Sequence, residues 1–281
     1  MQKKNTTFKL AGLFSWILLL TGAAVCLYPL LWMVMTSLKT FQEAMIDPVS
    51  LAAPSGLHWE NYREAFGKLN FFIYLKNSLL TSSTICVLII LIYSMFGFAL
   101  AKIDFTGKRI LFFFYLSMLF VPGISLVVPL FVNLTALGLG DTFWGLILPQ
   151  INGAGPMAMF MFRNYFQKIP HELYDSAAIE GASKFKIYAY IYLPLSIPII
   201  MTVIVMNFLG SWNALLWPLI ILSSPKKFTL PLGLLRLQMS AFPKLNMTMT
   251  GGMISFIPVL LIFFAVQKYY FQGLTSGAIK E

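Results

Sequence analysis

The sequence alternates between long stretches without charged residues and short segments in which the charges are concentrated. The uncharged stretches cover residues 10–38, 77–101, 110–140, 142–162, 187–224 and 245–267. Each one is longer than the roughly 20 residues that a helix needs to cross the hydrocarbon core of a membrane. The pattern therefore predicts six membrane-spanning helices, at about 11–36, 76–101, 110–134, 143–162, 196–222 and 251–270.

The first and fourth stretches need a further argument. Lys3, Lys4 and Lys9 precede the first one, as basic residues precede the apolar core of a signal peptide. That core has about 7 to 15 apolar residues, whereas this stretch is much longer, so we expect a retained helix. Glycines and prolines, including Pro149 and Pro156, interrupt the fourth stretch and make its helix the least regular.

The composition agrees with a membrane protein. Of the 281 residues, 58% are hydrophobic and 11% are charged, and the mean hydropathy is +0.79. Soluble domains carry about 25% charged residues, so we predict an all-α integral membrane protein. Cys26 and Cys86 both lie inside predicted spans without a ligand spacing, and we interpret them as small apolar packing residues.

The net charge of +10 reports orientation in the membrane. Twelve Lys and Arg residues lie in the N-terminus, residues 102–109, residues 163–186 and the C-terminus; the other loops hold eight, half of them in or beside the long 39–75 segment. Positive charge in short loops marks the cytoplasmic side, so both termini and the 163–186 segment are expected in the cytoplasm. Charges scattered over membrane loops do not form a basic nucleic-acid surface, and we expect no nucleic-acid partner.

The sequence lacks the residues of self-contained catalysis or ion coupling. It has no Gly-x-x-x-x-Gly-Lys-Ser/Thr phosphate loop, and its two histidines, His58 and His171, lack acidic or cysteine companions at ligand spacing. No catalytic constellation is present, so we expect neither an enzyme nor a metal protein. The predicted spans contain no ionisable side chain in their interiors, which argues against proton- or ion-coupled transport. The driving energy is then expected from outside the membrane.

Residues 169–194 form a charged helix-turn-helix candidate between the fourth and fifth spans. Pro170 suits the first helical position, and Glu172 in the first turn complements the positive helix end. Gly181 predicts a helix stop, and Ser183 predicts the cap of a second helix. The first helix places four small residues on a nearly bare face that a groove on another protein can grip closely: Ala177, Ala178, Gly181 and Ala182.

This segment resembles the coupling motif of the membrane permeases of binding-protein-dependent ABC importers. That motif reads Glu-Ala-Ala, three residues, Gly, nine residues, Ile, any residue and Leu-Pro. The matching positions are Asp175, Ser176 and Ala177, then Gly181, Ile191 and Leu193-Pro194. Asp and Ser replace Glu and the first Ala, which keeps the charge sign and the small size. From the residues alone, an ordinary amphipathic helix on the membrane surface is the alternative.

The resemblance implies that the first helix of the segment is a cytoplasmic coupling helix that docks on an ATPase. The residues implied in this contact are Glu172, Leu173, Asp175, Ser176, Ala177, Ala178, Glu180 and Gly181. Further resemblance to carbohydrate-type ABC permeases lies in Trp212-Asn213, in Leu216-Trp217-Pro218, and in residues 28–39 and 267–278. It thus extends over nearly the whole chain, and it matches the smaller six-span permease of maltose-type importers.

Polar side chains inside the spans are the candidates for the solute pathway. They are Asn133, Asn152, Asn207, Ser211, Trp212 and Asn213. Asn207 and Ser211 share one helix face, with Trp212 nearby. An indole with amides suits a sugar, because ring CH faces stack on the indole and hydroxyls need donors and acceptors. For any single one of these residues, packing between helices is the alternative.

Two long segments are expected outside the cell. Residues 39–74 include a short helical candidate around 59–66 and serve either to contact an external partner or as a passive connector. For residues 223–250, the resemblance implies a loop that in some family members reaches into the sugar cleft of the docked binding protein.

The sequence thus predicts a single permease domain over residues 1–281, with six spans and a cytoplasmic coupling helix between spans four and five, in a bacterial or archaeal inner membrane. The resemblance implies a sugar or oligosaccharide importer with a second related permease, two copies of an ATPase that binds ATP and Mg²⁺, and an extracytoplasmic solute-binding protein. The chain itself is expected to bind no cofactor. The alternatives are a permease for a non-sugar solute such as glycerol phosphate, and a membrane channel or scaffold subunit without ATP coupling.

Overall fold

The computed structural model describes residues 3–68, 70–239 and 244–278, and the regular structure in these ranges is helical. The α-helices are α1 Lys3–Ser37, α2 Phe41–Ile46, α3 Glu60–Lys68, α4 Phe71–Lys102, α5 Lys108–Ser117, α6 Val127–Ala136, α7 Phe143–Lys168, α8 Glu172–Ile179, α9 Lys184–Ile187, α10 Leu193–Leu195, α11 Ile197–Trp212, α12 Leu216–Ile221, α13 Leu230–Gln238 and α14 Leu245–Ala278. A π-helical turn, Tyr188–Tyr192, joins α9 to α10. The all-helical prediction is confirmed.

Three helices within the described ranges are long and apolar enough to cross a membrane: Ser15–Ser37, Phe71–Lys102 and Leu245–Ala265. Two further helix pairs meet the same criterion when each is taken as one bent span, Lys108–Phe120 with Gly123–Ala136 and Lys184–Leu195 with Ile197–Trp212. The predicted fourth span corresponds to α7, a continuous helix in spite of its internal prolines, but it is not among these candidates.

Two of the predicted spans are broken near prolines. The predicted single helix at 110–134 is wrong, because the chain is extended at Val121 and Pro122 and bends by 93° there. A residue that precedes proline disfavours the helical region, which accounts for the break. The predicted helix at 196–222 is also wrong, since α11 ends at Trp212 and α12 begins at Leu216. Pro218 lies in the first turn of α12, where its ring is tolerated, whereas a continuous helix would place the ring against the carbonyl of residue 214.

The chain forms two compact units. The first runs to Phe71 and includes Leu234–Phe256. Within it, buried Asn61 donates hydrogen bonds to the carbonyl oxygens of Ser37 (2.8 Å) and Lys39 (2.9 Å) at the end of α1. Asn246 donates to the same Lys39 carbonyl at 3.2 Å. These amides satisfy backbone groups that a helix end leaves unpaired.

The segment that follows α1 is ordered by a capping box. The Thr40 hydroxyl accepts a hydrogen bond from the Glu43 amide, and the Glu43 carboxylate accepts one from the Thr40 amide. The same carboxylate accepts a bond of 2.8 Å from the Ser55 amide. Hydrogen bonds from the Ser55 and Thr40 amides lower the pKa of Glu43 to about 2.

The short helix predicted around residues 59–66 is confirmed as α3.

The second unit holds Phe72–Gly233 and the chain from Ile257 onward. In it, α7 packs against α11, α5 and α12. Two glycines allow α4 and α7 to approach closely. A Cβ atom at Gly155 would lie 2.0 Å from the Tyr93 ring, and one at Gly97 would lie 2.6 Å from the Phe162 Cβ atom. Small residues at such positions let helix backbones pack in membranes without a steric clash.

Candidate functional site

The segment with the coupling motif begins where α7 ends at Lys168. Ile169 is extended, and α8 then begins with His171 as its N-cap residue. The His171 carbonyl accepts hydrogen bonds from the amides of Tyr174 (2.8 Å) and Asp175 (3.1 Å), so the first helical turn starts at His171. The prediction that Pro170 occupies the first helical position is therefore wrong, and this proline lies one residue before the cap.

The end of α8 follows the sequence prediction. Gly181 has a φ of +82°, in the left-handed region that favours glycine. Its amide donates to the Ala178 carbonyl at 3.0 Å, and the Ala182 amide donates to the Ala177 carbonyl at 3.0 Å. This pair of bonds is a Schellman motif, which closes the helix. Ser183 then caps α9, its hydroxyl accepting from the Lys186 amide at 3.3 Å.

The small residues of α8 do not form one bare surface. Ala177 and Ala182 are half-buried and pack against the core of the second unit. Tyr174 lies on the same inner face, with its ring 6.3 Å from the Phe98 ring. Ala178 is exposed, as is Gly181 at the turn. The predicted four-residue face is thus corrected: its members divide between inward packing and solvent, because helical geometry turns Ala177 inward with Tyr174.

The outward side of α8 presents apolar and acidic side chains together. Ile179 is 87% exposed and Leu173 is 42% exposed. The acids Glu172, Asp175 and Glu180 are also exposed. The exposed surface of α8 thus combines two apolar side chains with three acids. Ile179 was not among the predicted coupling residues. In the sequence it is an apolar residue directly before the acid Glu180 and the helix-ending Gly181.

An aromatic cluster lies beneath α8 and the π-helical turn. The Tyr192 ring is 5.0 Å from Phe98 of α4 and 5.8 Å from Phe166 of α7, measured between ring centroids. Tyr192 and Phe166 are fully buried. The buried Lys102 ammonium, at the end of α4, donates to the Ile169 carbonyl at 2.5 Å. These contacts join the π-helical turn and the start of the α8 segment to the ends of α4 and α7.

The six candidate pathway residues differ in exposure. Asn133, Asn152 and Asn213 are exposed. Asn207 and Ser211 are half-buried, and Trp212 is only 1% exposed. The indole of Trp212 stacks on the ring of Phe208 one turn earlier, with centroids 5.3 Å apart and an interplanar angle of 16°. Trp212 therefore offers no open face for a sugar ring in this structure.

The polar atoms of α11 mostly bond within the protein. The Asn207 amide donates to the Val203 carbonyl at 2.8 Å, one turn earlier in the same helix. The Ser82 hydroxyl of α4 donates to the Ser211 hydroxyl at 3.2 Å. These contacts favour the packing alternative for Asn207, Ser211 and Trp212. The exposed amides at positions 133, 152 and 213 keep their hydrogen-bonding groups available at the surface of the chain.

A hydrogen-bonded clamp fixes the start of residues 223–250, the segment predicted to be the second external one. Asp141 accepts bonds from the amides of Ser223 (2.9 Å) and Ser224 (3.0 Å) and lies 3.1 Å from the Lys227 ammonium. Burial raises the pKa of Asp141, but the hydrogen bonds from Ser224, Ser223 and Lys227 outweigh it and hold this pKa well below its ordinary 3.8. The clamp joins residues more than 80 positions apart, and no local pattern predicted it.

The chain is similar in sequence to membrane components of transport systems. Residues 93–276 match the family described as binding-protein-dependent transport system inner membrane component. The arabinooligosaccharides transport system permease protein of Halalkalibacterium halodurans is 34% identical over 97% of this chain and 99% of its own length. The protein of the same name from Bacillus subtilis is 36% identical over 90% of each chain.

Two further similarities come from more distant sources. The trehalose/maltose transport system permease protein of Thermococcus litoralis is 31% identical over 94% of this chain and 96% of its own length. A crystal structure of a bacterial ABC transporter involved in the import of the acidic polysaccharide alginate contains a chain that superposes with a TM-score of 0.81. That chain is 21% identical, and the match covers 96% of this chain and 99% of the other, so it shows the shared fold.

Proposed function

The chain belongs to the family of binding-protein-dependent transport system inner membrane components, and from this premise we propose that it imports a sugar or oligosaccharide at the expense of ATP. It is a transport permease rather than an enzyme, as its relatives are. The relatives named for arabinooligosaccharides and for trehalose and maltose support a carbohydrate substrate. The absence of ionisable side chains from the predicted span interiors agrees with a neutral solute.

The observation that carries the proposal is the outward face of α8. Ile179 and Leu173 project from a helix whose other exposed side chains include three acids. An apolar anchor surrounded by charge suits docking into a groove on a second protein. We assign this face to contact with a cytoplasmic ATPase, which would bind the ATP and Mg²⁺. The assembly would include two ATPase copies, a second related permease and an external solute-binding protein.

The mechanism follows from a differential contact. When ATP closes the ATPase dimer, the groove that holds α8 moves, and the packing of Tyr192 between Phe98 and Phe166 passes the displacement to α4 and α7. The permease pair then opens outward, and hydrolysis reverses the motion. The ATPase must hold α8 differently in its two states, because a partner with equal affinity for both permease conformations shifts nothing.

The proposed topology has six spans, with both termini and α8 in the cytoplasm. Five of the spans correspond to the candidate helices and bent pairs, and α7 supplies the other. The exposed amides of Asn133, Asn152 and Asn213 are proposed to line the pathway, where hydroxyl groups need both donors and acceptors. Asn207, Ser211 and Trp212 would serve in packing, since their contacts are with Val203, Ser82 and Phe208.

The test is uptake by the reconstituted complex. The two permeases, the ATPase and the binding protein are assembled in vesicles with ATP on the ATPase side, and a labelled arabinooligosaccharide or maltose is supplied on the other side. We expect accumulation that requires ATP and the binding protein. Transport of glycerol phosphate in place of any sugar would favour the non-sugar alternative. Downhill flux that ignores ATP would favour a channel.

A further inference from the structure

An open cavity of about 380 Å³ lies between the start of α5 and the last turns of α7. Its lining contains three cationic side chains and two phenylalanines: Lys108, Arg109, Arg163, Phe112 and Phe113. None of the proposed coupling or pathway residues contributes to this lining. We call this feature the basic cavity.

The two arginines of the basic cavity are held by ring faces. The guanidinium carbon of Arg163 lies 4.0 Å from the centroid of the Phe112 ring. That of Arg109 lies 5.8 Å from the centroid of the Phe113 ring. These cation–π contacts orient the guanidinium groups and leave their N–H donors unused by the rings.

The charge around the cavity is not balanced. Within the described ranges, the carboxylate that pairs with one of these cations is Asp104, 3.1 Å from the Lys108 ammonium and fully exposed. No acidic side chain lines the cavity. Three cations less one carboxylate leave two positive charges around a cavity whose lining surface is itself apolar. A phosphate group matches this set, because guanidinium groups bind its oxygens in a bidentate geometry.

The surroundings of the basic cavity are apolar. Ile110 is 77% exposed, Phe113 53% and Phe114 66%, all on α5 directly after the two cations Lys108 and Arg109. The bent pair that begins at Lys108 is itself a candidate span. The cations therefore lie at the end of a membrane segment, where lipid headgroups meet the hydrocarbon region, and the exposed rings lie on its apolar side.

From this arrangement we infer that the cations around the basic cavity bind the phosphate headgroup of an anionic phospholipid in the cytoplasmic leaflet, with the acyl chains lying along the apolar lining of the cavity and along Ile110, Phe113 and Phe114. The assignment to the cytoplasmic leaflet rests on the proposed orientation of the chain. The headgroup would accept hydrogen bonds from Arg109 and Arg163, and Lys108 would add a third positive charge.

The test uses the full-length permease in vesicles that contain photoactivatable phosphatidylglycerol or photoactivatable phosphatidylcholine at equal mole fraction. The measurement is the ratio of the two labels on peptides that contain residues 108–114. We expect phosphatidylglycerol to label at least about five-fold more strongly, since each cation near an anionic headgroup contributes about that factor. The preference should fall in 0.5 M salt, which screens the headgroup charge in the unmodified protein.

Variants identify the residues. R109Q/R163Q should reduce the ratio by about five-fold or more. R109K/R163K keeps both charges but loses the bidentate geometry, so its ratio should lie between that of R109Q/R163Q and that of the unmodified protein. Lys168→Gln is the matched control, because it removes one exposed positive charge from the same helix, α7, outside the cavity. Its ratio should be unchanged.

Equal labelling by the two lipids, or a ratio that R109Q/R163Q leaves intact, would overturn the inference. So would burial of the labelled peptides by the second permease in the assembled complex, which would assign the cavity to that protein. The labelling needs neither ATP nor sugar. Its failure is thus distinguishable from failure of the proposed transport function, which the uptake assay reports.

Discussion

Replacement of Ile179 by alanine should weaken ATPase binding without disturbing the permease. The substitution removes three carbon atoms from a side chain that is 87% exposed. Each buried CH₂-sized group contributes about 0.8 kcal/mol, so loss of a docked side chain of this exposure costs about 2 kcal/mol. That free energy corresponds to a roughly 30-fold increase in the dissociation constant of the ATPase.

The folded permease should not change, because an exposed substitution to a strong helix former alters stability by no more than about 0.5 kcal/mol. The assay is binding of the purified ATPase to the solubilised permease pair, with a thermal melt of each variant. Ile46→Ala is the matched control, an isoleucine that is 84% exposed at the end of α2, and it should leave ATPase affinity unchanged. An Ile179→Ala variant with unmodified affinity and uptake would refute the assignment of the α8 face.

Three further substitutions test other parts of the structure. Gly181→Val should strain the left-handed helix stop by about 1–2 kcal/mol, although a Cβ atom there would meet no other atom within 4 Å, and it should reduce uptake. Gly138→Val carries the same strain at φ +72° and should spare uptake by the assembled complex. Equal losses of uptake in the two variants would argue against a coupling role for Gly181. Gly155→Ala should destabilise the solubilised protein by about 1–3 kcal/mol through its clash with a buried ring, whereas Gly153→Ala has open space and should not; identical melting temperatures would contradict the packing. Asp141→Asn should cost about 2 kcal/mol at neutral pH, since charged hydrogen bonds are lost. The depressed pKa of Asp141 means that its contribution is present above 3.8 and is lost as the pH falls through the lower folded value, so a pH-independent difference in stability would count against the clamp.

Local rules predicted the turn after α8 correctly. A glycine that ends a helix and a serine that caps the next one act through backbone groups a few residues away, and Gly181 and Ser183 both take these roles. The prediction for Pro170 was wrong by one residue or two, because the first hydrogen-bonded turn begins at the His171 carbonyl rather than at the proline.

The span boundaries failed where charge alone defined them. Absence of charge marks what a membrane accepts, but Pro122 and Pro218 interrupt helices inside uncharged stretches. Both prolines were visible in the sequence, but Pro149 and Pro156 lie inside the continuous helix α7, so a proline alone does not locate a break. The apolar pattern therefore locates membrane segments better than it locates helix ends.

The orientation of side chains was the least predictable feature. Asn207, Ser211 and Trp212 are polar or amphipathic residues in an apolar helix, and nothing in their spacing says which neighbours surround them. The structure buries Trp212 against Phe208 and gives Ser211 a partner on α4. The Asp141 clamp has the same origin, since its partners come from a distant part of the chain.

A cysteine at position 179 shows whether the outer face of α8 meets the ATPase in the cytoplasm. Cys26 is exposed and is replaced by serine, whereas Cys86 is buried and is kept. A short thiol–amine crosslinker is applied to the assembled transporter, and a membrane-impermeant maleimide is applied to intact cells. We expect the Ile179→Cys variant to crosslink to the ATPase and to escape the external maleimide. A Ser55→Cys variant should be labelled from outside and should not crosslink. External labelling at position 179 would contradict the contact of the α8 face with a cytoplasmic ATPase. So would a cysteine at this position that does not crosslink to the ATPase in a complex that transports sugar.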